Sequence, residues 1–533
     1  MITMKTKAAK TMTATSRALL LAALAAGCSS HAPSQPATPG APAQPPGAPT
    51  RPGQAAPSVI LPATDEPSVS FAAWFQVGSD DDPAGKEGLA WLTGQMVARA
   101  ATQAHRYDQI LTLLYPMAAD YEISVDREMT VLSGRAPRDK AAAYLPFFVA
   151  AYTRPAFDAA DFERLRSEAL SFVEKNLRYA LDEELGKAAF MGALFAGTGY
   201  AHPPQGTAAS LKAITLDDVK GFWRDHYTGD RVVFGLAGGW SEEMRTGLEG
   251  SRAALTAAAP AARPEAPAVN APQGRQVVLV AKPGADASIS FGFPIAVRRG
   301  NPDFAALYLV TSWLGEHRNS SSHLYQVIRG ARGLNYGDYA YVEAYPNGGR
   351  RQTPPPSTGR RQQAYEIWIR TLPNENAVFA LRAALRELDH LARQGMTADQ
   401  FELTKSFLSK YLLHAAPSTH DRLLWALDDR FYGLSASHLD TLRAEIKQLT
   451  VEQVNAAIKR NLQSENLLIA IATGQAEKLR DQLTSGAPTK PTYNSPKPKP
   501  ILTEDEEIAA YPLNINATSI RIVPVDEMFA KGR

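Results

Sequence analysis

The sequence predicts an α+β protein in which one α/β unit occurs twice, and three observations support this. The chain has 533 residues, which is too long for one ordinary domain. A Pro/Ala-rich stretch, residues 257–273, divides the body near its middle. The parts on either side are alike: residues 211–219 match residues 446–454 class for class, and the match continues without a gap to Gly239 and Gly474. A duplicated unit explains this better than a short-period repeat array does.

The repeated segment predicts the same elements in both copies. Thr215 and Thr450 have the character of helix N-caps, each followed three positions later by Asp218 or Gln453. We expect a helix after each cap and then a β-rich strand, at 231–237 and 466–472.

Two further pairs of segments extend the correspondence upstream. Extended apolar segments occur at 68–77 and 287–296, and helical stretches opened by an acidic turn occur at 157–166 and 396–404. The two predicted domains therefore cover residues 58–256 and 274–483, with 257–273 as the linker between them.

Composition excludes several functional classes. The formal net charge is only +2, so the chain has no global field to hold nucleic acid. A single cysteine excludes an internal disulfide framework, an iron–sulfur cluster and a multi-thiolate zinc site.

The first 28 residues are typical of an export signal. Basic residues precede an apolar run at 18–26, which ends in Gly27, Cys28 and Ser29. This resembles a bacterial lipoprotein signal, and the resemblance implies that Cys28 is lipidated. Ser29 after the cysteine then suggests the outer membrane of a Gram-negative bacterium. The alternative is an ordinary secretory signal with a coincidental cysteine.

Residues 29–57 form a Pro-rich linker, which we expect to be a semi-extended spacer of at most about 80 Å. No further transmembrane run follows, so we expect a lipid-anchored body in the periplasm. At the other end, residues 484–533 contain a Pro-rich bridge and then alternate apolar and polar residues at 519–525. That alternation predicts a strand that returns to the body.

A family resemblance is carried by residues 78–90. This run resembles the one that leads into the active-site helix of the pitrilysin/insulinase (inverzincin) metallopeptidases, and the likeness covers roughly residues 58–480. Active members continue with His-x-x-Glu-His, in which the histidines bind Zn²⁺ and the glutamate is the general base. Here Trp91, Gly94 and Gln95 occupy those three positions. Neither a zinc-binding imidazole nor a general base remains.

No replacement metal site is evident in the sequence. The best counterpart of the family's third ligand, a glutamate downstream, is Glu174, which reads more simply as an exposed helical glutamate. The ten histidines form neither His-x-x-Glu-His nor His-Glu-x-x-His. We therefore predict that this chain binds no metal.

Residues 324–337 resemble a second hallmark of the family, its C-terminal Arg/Tyr element. Arg329 and Tyr336 have the required spacing, with Gly-Leu between them. The resemblance implies that these side chains hold the peptide carbonyl and stabilise the oxyanion at a zinc site. Alternatively, Arg329 caps a helix C-terminus and Tyr336 opens a strand. Arg332 and Tyr339 share the spacing of seven but fit the element less well.

Together these features predict a catalytically incomplete subunit of a membrane-tethered, periplasmic zinc metallopeptidase. The resemblance implies two domains with antiparallel-rich sheets covered by helices, which form half of a clamshell chamber for unfolded peptides. A partner subunit of a heterodimer would carry His-x-x-Glu-His and the zinc, and this chain would donate Arg329 and Tyr336. The alternative is a non-catalytic peptide-binding or scaffold lipoprotein, a pseudopeptidase; an active enzyme of unrelated mechanism is a third possibility.

Overall fold

A computed structural model describes residues 58–257, 265–346 and 353–532. The predicted signal peptide, the lipidation site Cys28 and the Pro-rich linker 29–57 lie outside the described residues, as does part of the linker between the domains. Among the helices that are described, none is both long enough and apolar enough to cross a membrane.

The N-terminal half contains five strands and eight α-helices. The strands are β1 (Val59–Pro62), β2 (Ser68–Phe75), β3 (Asp120–Val125), β4 (Thr130–Pro137) and β5 (Val232–Gly238). The helices are α1 (Leu89–Ala98), α2 (Tyr107–Leu114), α3 (Ala141–Thr153), α4 (Ala159–Ser171), α5 (Asp182–Leu194), α6 (Ala208–Ala213), α7 (Leu216–His226) and α8 (Glu242–Gly250). A π-helical segment, Phe172–Ala180, continues α4.

The C-terminal half repeats this plan and adds a tail. Its strands are β6 (Arg275–Ala281), β7 (Asp286–Ile295), β8 (Asp338–Tyr341), β9 (Gln363–Pro373), β10 (Leu467–Thr473) and β11 (Ile520–Pro524). Its helices are α9 (Phe304–Gly315), α10 (Ala377–Gln394), α11 (Ala398–Tyr411), α12 (Thr419–Phe431), α13 (His438–Gln448), α14 (Val451–Asn461), α15 (Ala476–Thr484) and α16 (Lys499–Ala510). A π-helical turn spans Tyr325–Gly330.

The two sheets have the same strand order, which is the strongest structural sign of duplication. The first runs β1-β5-β2-β4-β3, and the second runs β11-β6-β10-β7-β9-β8. In each sheet one pair of corresponding strands is parallel, β1 with β5 and β6 with β10, and the strands that follow are antiparallel. The predicted α+β fold with two similar, antiparallel-rich domains is confirmed.

The predicted helix caps are confirmed in both copies. The Thr215 hydroxyl accepts a hydrogen bond from the Asp218 amide at the start of α7, and Thr450 does the same for Gln453 at the start of α14. Each pair completes a reciprocal capping box, which satisfies backbone N–H groups that a helix start leaves unpaired.

The central strands of each sheet are buried on both faces, because each half covers the other's sheet with one helix. In β2, Val69, Phe71 and Phe75 face helices of the N-terminal half, whereas Trp74 faces α12 of the C-terminal half. The converse contact brings α5 against β6, β7 and β10. Successive strand residues point to opposite faces, so strands buried on both faces read as continuous apolar runs.

The tail continues the C-terminal sheet at its outer edge. Strand β11 pairs in parallel with β6, from Ile520 opposite Val277 to Pro524 opposite Ala281. Helix α16 precedes this strand and packs against α10.

Candidate functional site

The run that leads into α1 is held by a buried carboxylate. Asp82 accepts hydrogen bonds from the backbone amides of Gly88 and Ala90, both at 2.7 Å, at the start of α1. Its burial raises the pKa of this carboxyl well above the ordinary value, although the two amide bonds oppose the rise. These hydrogen bonds hold the backbone that leads into α1, the helix that corresponds to the family's active-site helix.

The three positions of the degenerate motif are packed rather than open. Trp91 is half-buried against the N-terminal core, and Gly94 and Gln95 are buried. A Cβ atom at Gly94 would lie 2.6 Å from Val125 Cγ2, because β3 crosses α1 at this point. A glutamate at position 94 would therefore require the Val125 side chain or β3 to shift.

The side-chain oxygens of Gln95 and of the nearby Glu168 bind the guanidinium of Arg99. Arg99 donates to the Oε1 of Gln95 at 3.1 Å and to the Oε2 of Glu168 on α4 at 2.8 Å. Glu174 lies further along and pairs with Lys212 at 2.7 Å, near the surface. An indole, a glycine and an amide do not fit a zinc ion, which prefers imidazole, thiolate and carboxylate ligands. Within the described ranges, no cluster of three or more His, Cys, Asp or Glu residues could hold a metal.

The predicted Arg/Tyr pair is brought together at the surface. Arg329 ends the π-helical turn, and its guanidinium carbon lies 6.0 Å from the centre of the Tyr336 ring. Tyr336 is 76% exposed and precedes β8, so the strand alternative for this residue is wrong. Among the described residues, no hydrogen bond or ion pair occupies the Arg329 guanidinium. Both groups keep their donors available.

The alternative pair, Arg332 and Tyr339, lies in the interior. The Arg332 side chain has no exposed area and binds two carboxylates, those of Glu504 and Asp505. Tyr339 is buried in a cluster of aromatic side chains that includes Trp368. This pair cannot be presented to another molecule without unfolding its surroundings.

A separate cavity of about 340 Å³ lies between the two halves. Its lining carries both signs of charge, from Asp126, Arg127, Glu184, Lys187, Arg360 and Glu366. Lys187 Nζ donates to the Tyr345 carbonyl at 2.7 Å and lies 3.9 Å from the centre of the Trp368 ring. Burial raises the pKa of Glu366, and the nearby Lys187 opposes the rise. Arg329 and Tyr336 do not line this cavity.

The sequence did not predict the roles of three residues that shape these sites, one of which, Arg332, it offered only as a member of the alternative pair. Asp82 and Arg99 act through contacts with the backbone or with a second helix, and Arg332 acts through residues far along the chain. Asp82 lies six and eight positions before the amides that it binds, and Arg99 lies four positions after Gln95, so both have a contact that is local in the sequence.

Comparisons with known proteins agree with this architecture. Residues 58–198 match the family model described as insulinase (peptidase family M16), and residues 213–408 match the model of the peptidase M16 inactive domain. Together the two models match more than half of the chain.

Relatives of this chain are found in bacteria. An uncharacterized zinc protease of Mycobacterium bovis is 25% identical over 438 residues, which cover 80% of this chain and 93% of the relative. An uncharacterized zinc protease of Bacillus subtilis is 24% identical over 273 residues, which cover 51% of this chain and 60% of the relative.

Solved structures share the fold. A peptidase M16 inactive domain from Pseudomonas fluorescens superposes with a TM-score of 0.68 at 23% identity, over 79% of this chain and 97% of that one. A protease from Helicobacter pylori gives a TM-score of 0.65 at 14% identity, over 78% of this chain and 96% of that one. From the two family models, the paired sheets and the residues at positions 91, 94 and 95, we conclude that the chain belongs to the insulinase (M16) peptidase family as a member without the catalytic motif.

Proposed function

We propose that this chain is the non-catalytic subunit of a heterodimeric zinc metallopeptidase and donates Arg329 and Tyr336 to its partner's active site. The observation that carries the proposal is the pair itself: Tyr336 is exposed, Arg329 is half-buried, the guanidinium carbon lies 6.0 Å from the tyrosine ring, and among the described residues no hydrogen bond or ion pair uses the guanidinium. A surface arginine and tyrosine whose described contact is with each other are expected where another chain uses their donors.

The chemistry of the two side chains suits a peptide carbonyl. A guanidinium offers several N–H donors in a fixed plane, and a phenol offers one O–H donor. Both would strengthen their hydrogen bonds as negative charge develops on the carbonyl oxygen, and one such donor typically contributes about 3 kcal/mol to transition-state stabilisation.

The metal and the general base would come from a partner that carries His-x-x-Glu-His. The geometry of α1 supports this division, because Gly94 is packed against Val125 and Gln95 is engaged by Arg99. The lipoprotein-like segment around Cys28 supports an anchor in the membrane. We propose that the anchored heterodimer projects into the periplasm and admits unfolded peptides.

The test is reconstitution with an insulinase-family chain that carries His-x-x-Glu-His, ideally one encoded beside this one and recovered with it from native membranes. Turnover of an unstructured, fluorescence-quenched peptide is measured, and zinc is determined for the complex and for each chain. We expect zinc only in the complex and in the partner, and no turnover by this chain alone.

Substitutions at the pair then test its role. Arg329→Ala and Tyr336→Phe should each lower kcat about 100-fold while the complex still assembles, since each removes an oxyanion donor. Arg329→Lys should restore only part of the activity, because an ammonium lacks the planar fork. Tyr115→Phe is the matched control, since Tyr115 is 87% exposed and lies directly after α2 in the N-terminal half.

Two results would overturn the proposal. Chelator-sensitive hydrolysis by the purified chain alone would contradict the assignment of the metal to a partner. Unchanged turnover in Arg329→Ala, with assembly intact, would instead favour a peptide-binding or scaffold role.

A further inference from the structure

The C-terminal tail from residue 485 onwards lies outside the residues that the two family models match, yet it is firmly packed on the C-terminal half. Thr492 exchanges two hydrogen bonds with the side chain of Asn376, at 2.7 and 3.1 Å. Arg382 of α10 donates to the carbonyl of Ala487 at 2.9 Å and also to that of Tyr511. Both ends of the segment that contains α16 are thereby fixed.

Helix α16 binds Arg332, which lies in the loop that carries Arg329 and Tyr336. Arg332 Nε donates to Asp505 Oδ1 at 2.8 Å, and Arg332 Nη2 donates to Glu504 Oε2 at 2.8 Å. Arg332 Nη1 donates to the Val327 carbonyl at 2.7 Å, within the π-helical turn. Asp505 also accepts a hydrogen bond from the Tyr493 hydroxyl at 2.8 Å, so its second oxygen is satisfied.

Arg332 lies in the sequence between Arg329 and Tyr336. The Gly333 amide donates to the Arg329 carbonyl at 2.8 Å, and Gly333 has φ +70°, which a glycine adopts without strain. Ile328 and Leu334 are buried in the C-terminal core on either side of this turn. The loop is therefore held by two apolar anchors and one buried arginine.

We propose that Arg332, Asp505 and Glu504 are positioning residues, through which the tail fixes Arg329 and Tyr336 in the orientation that a partner's active site requires. This inference rests on the proposed function. The three residues do not touch substrate; they act by holding the backbone of residues 329–336.

A small displacement of Arg329 or Tyr336 is enough to lower the rate. A buried arginine is costly without its carboxylates, so the loop has one favourable arrangement while α16 is docked. A displacement of about 1 Å at a catalytic group can cost about 100-fold in rate, which gives even a modest loosening of the loop a measurable effect.

The experiment uses the full chain with Asp505→Asn and Glu504→Gln, singly and combined. The matched control is Glu506→Gln, which lies on the same helix and loses only an exposed pair with Lys490. A second control, Glu507→Gln, loses a contact between α16 and Arg386 without touching Arg332.

Hydrogen exchange of peptides that cover residues 328–338 is measured on the chain alone, and turnover is measured in the complex. We expect Asp505→Asn and the double variant to speed exchange in this segment about tenfold and to lower kcat about tenfold with KM nearly unchanged. The two controls should leave both measurements unchanged, and Asp505→Glu should recover part of the activity. If the double variant does not fold, Glu504→Gln decides, because Glu504 is partly exposed.

The outcomes separate this inference from the proposed function. Unchanged exchange at 328–338 in a folded Asp505→Asn or Glu504→Gln chain would overturn the positioning role, whatever the turnover. Normal turnover in these variants, with Arg329→Ala inactive, would also overturn it while leaving the proposed function intact. If Arg329→Ala itself is fully active, the proposed function fails, and exchange alone decides whether α16 orders the loop.

Discussion

Gly94 shows how the packing of α1 depends on the residue at a single position. Glycine in a helix interior is about 1 kcal/mol less favourable than alanine, so its presence in α1 needs a reason. The reason is the close approach of β3, whose Val125 fills the space that a side chain at position 94 would need.

This packing gives a prediction for stability. Gly94→Ala should lower the free energy of unfolding by about 1–3 kcal/mol, because the new methyl group would lie 2.6 Å from Val125 Cγ2. Gly221→Ala in α7 is the control and should raise it by up to about 1 kcal/mol, since the nearest atom to the new methyl is 3.9 Å away. Urea denaturation of the two variants checks the opposite signs. Stabilisation by both substitutions would contradict the packing argument.

Glu316 gives a prediction for pH dependence. This residue follows α9, and burial raises its pKa from 4.5 to about 7, although a hydrogen bond with Ser312 opposes the rise. The folded chain therefore holds a proton that the unfolded chain releases between about pH 4.5 and pH 7, so stability falls as the pH rises through this window.

Glu316→Gln should remove that loss. We expect the free energy of unfolding to vary less between about pH 5 and pH 7 in the variant, and to exceed that of the parent by about 1–3 kcal/mol at about pH 8. Glu465→Gln, at an exposed position, serves as the control. Parallel pH profiles for Glu316→Gln and the parent would show that this carboxyl does not titrate as described.

At this scale the sequence predicted what depends on local spacing. Arg329 and Tyr336 were recognisable because seven positions separate them in a known pattern, and the structure places them side by side. The carboxylates that bind Arg332, those of Asp505 and Glu504, lie more than 170 positions away in the sequence, and no local pattern predicts such a contact.

Helices α5 and α12 are the elements whose roles sequence could not assign. A helical pattern in the sequence does not say which sheet the buried face of the helix contacts. Each helix lies in one half by sequence and covers the sheet of the other half. The strands, caps and order of the repeated unit were predictable because they rest on local signals.

The exchange of helices predicts an effect at a distance along the chain. Leu423→Ala in α12 should cost about 2–5 kcal/mol, because the side chain is fully buried against the N-terminal sheet. Hydrogen exchange should then rise in β2 and β5, which belong to the other half. Leu403→Ala in α11 is the control, since that leucine is 71% exposed. Faster exchange confined to the C-terminal half would contradict the assignment of α12 to the N-terminal sheet.

For the whole molecule, the sequence predicted two similar copies of one unit. It did not predict that each copy depends on a helix of the other. The matched segments predicted two similar domains, and the strand orders agree with that. Two independent domains were the simplest expectation from a linker between them. The structure instead shows that neither half possesses a complete covering for its own sheet.

The halves should therefore fail to fold separately. Fragments 58–256 and 274–533, expressed alone, should bind a hydrophobic dye and unfold without cooperativity, because each exposes one sheet face and one apolar helix face. Expressed together, they should form a one-to-one complex with a sharp unfolding transition. Size-exclusion chromatography and thermal unfolding measure both outcomes. A fragment that is monomeric and unfolds cooperatively by itself would show that the exchanged helix is dispensable.

The position of α12 also bears on biosynthesis. Its last residue, Phe431, is translated long after β5 ends at Gly238. At roughly 5–20 residues per second, the ribosome needs about ten to forty seconds to cover that interval. Throughout this time the N-terminal sheet lacks the helix that covers one of its apolar faces, and we expect that face to be a binding surface for a holding chaperone until α12 arrives.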